Sequence, residues 1–316
     1  MKKLVIISLL VILAIFWKNI ESYIYPIFYH NYQSDDIIAF DLNGDIREYL
    51  LYIPKNVQPN APLVFVLHGL EETSTRIRKY SGMDKVADKY GFVVCYPQGS
   101  SCIEKTIYTE EGSYFWNVDY EIHKNETVDD IFFLKSLANY LQEKYNIDSE
   151  KTFCAGMSNG GDMNYLLGCE ASDVFKAIAT VAGTMMKWVY KSCNQNKSIS
   201  VLHLHGTKDM NNRFHGDINN EDNWGAYISV EASVKFWVGK NKCTKTSIDT
   251  LPDLNEEDGS FIIKESYKNC ENNNEVWFYK IIKGGHEWPT KHWRHWGNRD
   301  INTSEEIWKF FSMVSR

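Results

Sequence analysis

The stretch from Lys151 to Gly161 constrains the fold more than any other part of the chain. It begins at residues 152–155 with a short apolar run of the kind that forms a buried strand. Residues 156–160 then read Gly-Met-Ser-Asn-Gly, a match to the G-x-S-x-G pattern. Apolar residues recur at helical spacing after Asn159, so the stretch predicts a sharp turn between a strand and a helix, with Ser158 at its tip.

This context is typical of a nucleophile elbow. A side chain at Gly156 or Gly160 would collide across so tight a turn, so glycine is expected at both positions. The helix that starts behind Ser158 offers free backbone N–H groups and the positive end of its dipole to a developing oxyanion. A serine between glycines also occurs in ordinary turns, so the assignment depends on an acid and a histidine later in the chain.

The acid is expected in a loop after a later strand, because parallel sheets place their chemistry at the carboxyl ends of strands. The apolar strand predicted over residues 200–204 leads into His205-Gly-Thr-Lys-Asp209, which makes Asp209 the candidate. Asp217 and Asp222 compete for the role, but both lie deeper in an Asn-rich loop. Taken alone, a loop aspartate is more often a turn or cap residue.

The base is expected after the last strand, which the sequence predicts over residues 276–282. That strand ends in Lys283-Gly-Gly-His286, and we interpret the nearby His292 and His295 as surface residues. The candidates for nucleophile, acid and base then follow one another in the chain order typical of α/β-hydrolases. Three strand-end loops that agree in this way are a stronger signal than any one of them.

Together these residues predict covalent hydrolysis of an ester. His286 would take the proton of Ser158, and Ser158 would attack the ester carbonyl. Asp209 would orient the imidazole and stabilise the imidazolium that forms. The backbone N–H groups of Asn159 and Leu70 would hold the oxyanion.

The alternation of strand and helix patterns predicts an α/β fold with a mostly parallel central sheet and helices on both faces. We expect one catalytic domain over residues 37–316, since the polar stretches at 255–260 and 272–274 are typical of loops rather than of domain linkers. The predicted strands cover residues 37–42, 47–53, 62–67, 92–96, 152–155, 177–181, 200–204 and 276–282, and the predicted helices cover 76–90, 131–145, 159 onward, 230–238 and 304–314.

The first 20 residues differ from everything after them. Two lysines precede an apolar run over residues 4–17, and Lys18 closes it, which is the pattern of a signal peptide or a short signal anchor. The run is short for a membrane span and no A-x-A site follows, so both alternatives stay open. We interpret residues 21–36 as a linker. Either alternative predicts a secreted or extracytoplasmic protein, free or held at the membrane by its N-terminal segment.

Charge and cysteine usage exclude several classes of partner. A net charge of -7, from 34 basic and 41 acidic residues, argues against a nucleic-acid surface. The chain has no C-x-x-C motif and no His/Cys cluster with zinc spacing, so no metal or other cofactor is expected. Seven cysteines fit an oxidising compartment. We expect Cys95 and Cys154 to be buried thiols, whereas four others lie at element ends or in polar loops, where bridges form: Cys169, Cys193, Cys243 and Cys270.

Eight segments of the chain resemble the polyhydroxybutyrate depolymerase and feruloyl esterase family. The resemblance covers roughly residues 45–312, and it implies an α/β-hydrolase fold and hydrolysis of esters outside the cell. It further implies that Ser158, Asp209 and His286 form the triad. The segments are Leu67-His-Gly-Leu70, Tyr96-Pro-Gln-Gly99, Phe115-Trp-Asn117, Val128-Asp-Asp-Ile131, Gly156-Met-Ser-Asn-Gly-Gly161, Val181-Ala-Gly183, His205-Gly-Thr-Lys-Asp209 and Gly284-Gly-His-Glu-Trp-Pro289.

The resemblance also implies the disulfides Cys169–Cys193 and Cys243–Cys270, which match positions where family members tend to pair cysteines. The chain departs from the family after the acid. Where family members often carry Val-Pro-Tyr, it reads Met210-Asn-Asn-Arg-Phe-His215. We expect that loop to face the pocket, so the departure bears on the choice of substrate.

Two loops rich in aromatic residues suggest the substrate class. One spans residues 100–125 and the other follows His286, and both are expected at the same end of the sheet as Ser158. Their rings are therefore candidate pocket walls, with Trp116 and Trp288 foremost, although ordinary core packing explains any single ring equally well. The rings concerned are Tyr114, Phe115, Trp116, Trp288, Trp293 and Trp296.

The sequence thus predicts an exported serine esterase. Its expected substrates are feruloyl or acetyl esters on polysaccharide, or short polyhydroxyalkanoates, rather than long-chain esters. A serine peptidase on the same fold and a non-catalytic binding protein are the alternatives, because the fold alone does not select among them.

Overall fold

The computed structural model describes residues 37–106, 108–194, 197–291 and 297–314. The predictions for residues 1–36 and for the imidazole and indole rings between 292 and 296 lie outside the described residues. No helix in the described part of the chain combines the length and the hydropathy needed to cross a bilayer. Its strands are β1 (Ile37–Leu42), β2 (Asp45–Tyr52), β3 (Leu63–Leu67), β4 (Val93–Pro97), β5 (Ser100–Ser101), β6 (Tyr114–Phe115), β7 (Thr152–Met157), β8 (Ala177–Val181), β9 (Ser200–Gly206), β10 (Lys245–Thr250), β11 (Phe261–Lys268) and β12 (Val276–Ile282).

Apolar runs form the centre of the main sheet, because strands covered on both faces need apolar side chains on both. Within the described residues this sheet has ten strands in the order β1-β2-β4-β3-β7-β8-β9-β12-β11-β10. The six central strands, which are β4, β3, β7, β8, β9 and β12, run parallel to one another. At the edges β2 is antiparallel to β4, β11 to β12 and β10 to β11. The carboxyl ends of β3, β7, β9 and β12 therefore lie along one side of the sheet.

Helices cover both faces of the sheet, as the sequence predicts. In the described residues the helices are α1 (Ser74–Ser81), α2 (Met83–Tyr90), α3 (Asp130–Tyr145), α4 (Asn159–Glu170), α5 (Lys187–Ser192), α6 (Val230–Lys240) and α7 (Thr303–Val314). The helices α1, α2 and α7 contribute Ile77, Met83 and Phe311 to the core on one face. The helices α3, α4 and α6 contribute Phe133 and Trp237, among others, to the core on the other face.

The structure adds the short elements β5, β6 and α5 to those predicted, and it corrects the prediction in two longer segments. The single helix predicted over residues 76–90 is two helices, because Gly82 between them adopts a left-handed conformation with φ of 63°. No strand is predicted from the sequence at Lys245–Thr250 or Phe261–Lys268, which pair with each other as an antiparallel extension of the sheet. Every residue of β10 is exposed, so the strand carries no apolar pattern that sequence reasoning could detect.

Two disulfides cross-link loops on the α4 and α6 side of the fold. One joins Cys169 at the end of α4 to Cys193, and the other joins Cys243 to Cys270. Both pairs are those that the family resemblance implies. The free thiols among the described residues are all buried: Cys95, Cys102 and Cys154.

Candidate active site

Ser158 lies between the end of β7 and the start of α4. Its backbone has φ of 55° and ψ of −123°, a region that non-glycine residues rarely occupy. The Ser158 N–H donates to the carbonyl of Val181 on β8 at 2.9 Å, which helps to hold this strained conformation. Strain of this kind persists at sites where the surrounding structure enforces it. The turn therefore has the strand-turn-helix form of a nucleophile elbow.

The glycines around Ser158 are required by the close approach of backbone segments. A Cβ on Gly156 would lie 2.4 Å from the carbonyl oxygen of Gly160. A Cβ on Gly160 would lie 2.5 Å from the carbonyl oxygen of His68 and 2.7 Å from that of Leu67. All three distances are far shorter than real contacts to a Cβ atom, so the elbow packs against β3 only with glycine at these two positions.

The structure brings Asp209 and His286 into contact. The loop after β9 carries Asp209, and the loop after β12 carries His286. The Nδ1 atom of His286 lies 2.8 Å from Oδ2 of Asp209, whose side chain is fully buried. The Oδ1 atom of Asp209 accepts the backbone N–H groups of Asn211 and Asn212 at 2.9 and 2.8 Å. Because Nδ1 of His286 is engaged, Nε2 is the ring nitrogen left for a second partner.

Ser158 and His286 line the same cavity, whose volume is about 560 Å³. The competing carboxylates make other contacts. Asp217 accepts the backbone N–H groups of Glu221 and Asp222, and Asp222 pairs with Arg213. Of the three candidate acids, Asp209 is thus the one for which the structure records a hydrogen bond to His286.

Leu70 and Asn159, the residues expected to supply the oxyanion N–H groups, both line the cavity. Asn159 opens α4, and the first N–H groups of a helix have no partner within it. Its side chain is held on both sides by the backbone of Trp116, which donates to Oδ1 at 2.7 Å and accepts from Nδ2 at 3.0 Å. The start of α4 is therefore fixed to the loop over residues 100–125.

The expectation that Trp116 and Trp288 wall the pocket is wrong. The Trp116 ring is completely buried, and its Nε1–H donates to the carbonyl of His68 at 3.0 Å. The Trp288 ring is buried against α7, where its Nε1–H donates to the hydroxyl of Ser304 at 3.2 Å. Both indoles therefore stabilise the loops that carry the site, and neither lines the cavity.

Other rings form the cavity wall. Tyr80 comes from α1, Tyr108 and Tyr120 come from the loop over residues 100–125, and Trp224 comes from the loop after β9. The hydroxyl of Tyr108 donates to the carbonyl of Asp222, so the two loops meet across the mouth of the cavity. The departure from the family pattern also faces the cavity, because Met210, Asn211 and Asn212 line it. The large number of aromatic residues in these loops indicates that rings lie near the site. It does not indicate which individual rings line the cavity.

Asp162 lies fully buried in the first turn of α4, behind the elbow. Its Oδ2 accepts the Tyr120 hydroxyl and its Oδ1 accepts the Thr184 backbone N–H, both at 2.5 Å. Burial raises the pKa of the Asp162 carboxyl from 3.8 to about 7, although these hydrogen bonds oppose the rise. Asp162 is therefore a buried acid that holds its proton well above the pH at which an exposed aspartate loses it.

We expect Asp162 to give the folded protein a distinctive dependence on pH. Between the ordinary pKa of 3.8 and the raised value of about 7 the native state keeps a proton that the unfolded chain releases, so the free energy of unfolding falls as the pH rises. A shift of this size corresponds to a loss on the order of 4 kcal/mol across the window. Urea unfolding of wild type and Asp162→Asn should show a stability difference that declines over this range; a flat or rising difference would contradict the assignment.

Comparisons with known proteins identify the family of the chain. The family model "Esterase PHB depolymerase" matches residues 47–211. Feruloyl esterase D of Neurospora crassa is 22% identical over 284 residues, which are 89% of this chain and 86% of that protein. A bifunctional acetylxylan esterase/xylanase of Neocallimastix patriciarum is 25% identical over 166 residues, which are 52% of this chain. The chain spans 22% of the length of that relative, and it spans less than two thirds of the length of two further curated relatives.

Solved structures of low sequence identity share the fold. An acetyl xylan esterase from Aspergillus awamori superimposes with a TM-score of 0.56 at 15% identity, over 87% of this chain and 98% of that one. The predicted α/β-hydrolase fold is thereby confirmed, as is the family resemblance. The chain belongs to the esterase PHB depolymerase family, and it has an α/β-hydrolase fold.

Proposed function

We propose that the chain hydrolyses esters through a Ser158–His286–Asp209 triad and an acyl-enzyme. The observation that carries the proposal is the 2.8 Å contact between His286 Nδ1 and Asp209 Oδ2, beside a cavity that Ser158 also lines. With Nδ1–H donated to Asp209, the Nε2 atom of His286 is unprotonated and can accept the proton of Ser158.

In the proposed first half-reaction, Ser158 Oγ bonds to the ester carbonyl carbon while His286 Nε2 takes the hydroxyl proton. The resulting oxyanion lies against the backbone N–H groups of Asn159 and Leu70. The ester C–O bond then breaks, and His286 returns the proton to the departing alkoxide. Water repeats the sequence on the acyl-enzyme and releases the acid.

The cavity wall supports a flat or sugar-bearing ester as substrate. Tyr108, Tyr120 and Trp224 contribute aromatic rings to the wall, and Asn211 and Glu72 contribute polar side chains. Ring faces stack on aromatic acids and on sugars, whereas a long alkyl chain needs an extended apolar channel. We therefore propose feruloyl or acetyl esters on polysaccharide as the substrate class, with short polyhydroxyalkanoates as the second candidate because the family model is named for a polyester depolymerase.

A panel of esters tests this choice. We expect kcat/KM to be higher for methyl ferulate, acetylated xylan, hydroxybutyrate oligomers and short p-nitrophenyl esters than for long-chain esters. A clear preference for long-chain esters would refute the argument from the pocket while leaving the triad in place. Hydrolysis of peptides with no ester turnover would instead support the peptidase alternative.

We also propose that residues 1–20 direct export and that the chain acts outside the cytosol, either free or anchored by that segment. The two disulfides support this, because such bridges form and persist in oxidising compartments. Peptide mapping of the protein from its native compartment, without reductant, should recover Cys169 linked to Cys193 and Cys243 linked to Cys270. Recovery of all cysteines as free thiols would count against both the bridges and export.

A further inference from the structure

A row of buried polar rings runs from α4 to the proposed catalytic acid, and this inference rests on the function proposed above. Tyr165 lies on α4. His203 and His205 lie two residues apart on β9, so the two imidazole side chains share one face of the sheet. All three are buried, with 0%, 0% and 1% of their surface exposed.

The hydrogen bonds in this row all point in one direction. His205 Nε2 lies 2.8 Å from the carbonyl oxygen of Asn212, which can only accept, so Nε2 carries the proton. Burial lowers the pKa of both histidines and favours their neutral forms, although Asp209 opposes the shift at His205. Between two neutral rings with His205 Nε2 protonated, His205 Nδ1 accepts the proton of His203 Nε2 at 3.1 Å. His203 Nδ1 must then accept the Tyr165 hydroxyl proton. One backbone carbonyl thus fixes the tautomers of two rings and the direction of the tyrosine.

The same nitrogen of His205 also lies close to Asp209. His205 Nε2 lies 3.4 Å from Asp209 Oδ2, the same oxygen that contacts His286 Nδ1. The Oδ1 atom takes two backbone N–H groups from residues 211 and 212. Because the Nε2–H of His205 is donated to the Asn212 carbonyl, His205 acts on Asp209 through the loop that links Asp209 to Asn212.

The loop that carries Asp209 is fixed by the same residue. His205 Nε2 binds the Asn212 carbonyl, and Asn212 Nδ2 donates to the carbonyl of Ala182 at 2.7 Å. Loss of the His205 Nε2–H would release the Asn212 carbonyl and loosen the loop that orients Asp209 Oδ2. Loss of the Tyr165 hydroxyl would remove a hydrogen bond from the far end of the row and leave the surroundings of Asp209 unchanged.

We propose that His205 is a positioning residue, which donates its Nε2–H to the Asn212 carbonyl and thereby holds the 209–212 loop, with Asp209 Oδ2, in the orientation that receives the Nδ1–H of His286. The role belongs to the Nε2 end of the ring. A side chain that restores a donor at that position should therefore restore activity, and one that reaches only the Nδ1 position should not.

Two substitutions at residue 205 separate the ends of the ring, because glutamine places an amide near the Nε2 position and asparagine places one near the Nδ1 position. We expect His205→Asn to lower kcat on the order of 10-fold to 100-fold with little change in KM, since small misplacements of catalytic groups have effects of this size. We expect His205→Gln to recover most of that loss. Tyr165→Phe is the matched control, which should lower the melting temperature but leave kcat within about twofold of wild type.

The low-field proton resonance of the His286 Nδ1–H gives a second measurement that general packing would not change. It should shift or broaden in His205→Asn and remain in place in Tyr165→Phe. Wild-type kcat and resonance in His205→Asn would overturn the proposal, as would a kcat of Tyr165→Phe that falls as far as that of His205→Asn. If His205→Asn does not fold, a His205→Gln variant that folds without activity would also overturn it. Ser158→Ala, measured in parallel, separates the two claims: if it keeps activity, the proposed function itself fails.

Discussion

Ser158→Ala should remove almost all ester hydrolysis while the fold remains intact. The loss in kcat should be on the order of 10⁴-fold or more, which is typical of triad residues. The variant lacks only the hydroxyl group, and the residual rate reflects binding and the oxyanion N–H groups. His286→Ala should show a similar loss, because Ser158 would then have no group to take its proton.

The exposed His215 provides the control for His286. It lies in the loop after β9, outside the set of residues that line the cavity. We therefore expect His215→Ala to retain wild-type kcat/KM within a few-fold. In urea unfolding, all three variants should have a free energy of unfolding within about 1 kcal/mol of the wild-type value. Full activity in Ser158→Ala would refute the proposed mechanism.

Asp209→Asn should be nearly as severe, with a loss in kcat on the order of 10⁴-fold. The amide cannot satisfy its surroundings with its oxygen toward His286, because its NH₂ group would then face the two backbone N–H groups of residues 211 and 212. The NH₂ group must therefore point at His286 Nδ1. That nitrogen becomes the acceptor, and the proton moves to Nε2, where it blocks transfer from Ser158.

Asp222→Asn is the matched control for this prediction, since Asp222 also lines the cavity but pairs with Arg213. We expect kcat of this variant to stay within about tenfold of wild type, with any larger effect in KM. Equal losses in kcat for Asp209→Asn and Asp222→Asn would mean that the acid has been assigned to the wrong loop.

The sequence predicted the parts of the site that depend on local geometry. The elbow at Ser158 follows from a buried strand, two glycines and a helical repeat, all within about 20 residues. Asp209 and His286 were predicted as strand-end residues, because the carboxyl ends of parallel strands meet at one edge of a sheet. The structure then brought these two residues to hydrogen-bond distance.

The pocket wall could not be predicted in the same way. Trp116 and Trp224 both lie in loops, and their burial depends on contacts between segments far apart in the sequence. The Trp116 ring donates to the carbonyl of His68, 48 residues away, which places it in the core. Trp224 reaches the cavity because its carbonyl accepts the N–H of Glu121 from the other loop. Composition can show that rings are present, but it does not show which of them face a cavity.

The measurement that tests the central claim most directly is covalent trapping. The protein would be treated with a p-nitrophenyl phosphonate, and the site of modification mapped by mass spectrometry. We expect one adduct, on the peptide that contains Ser158, which forms much more slowly in His286→Ala and not at all in Ser158→Ala. An adduct on another residue, or ester hydrolysis that persists once Ser158 is fully modified, would contradict the triad.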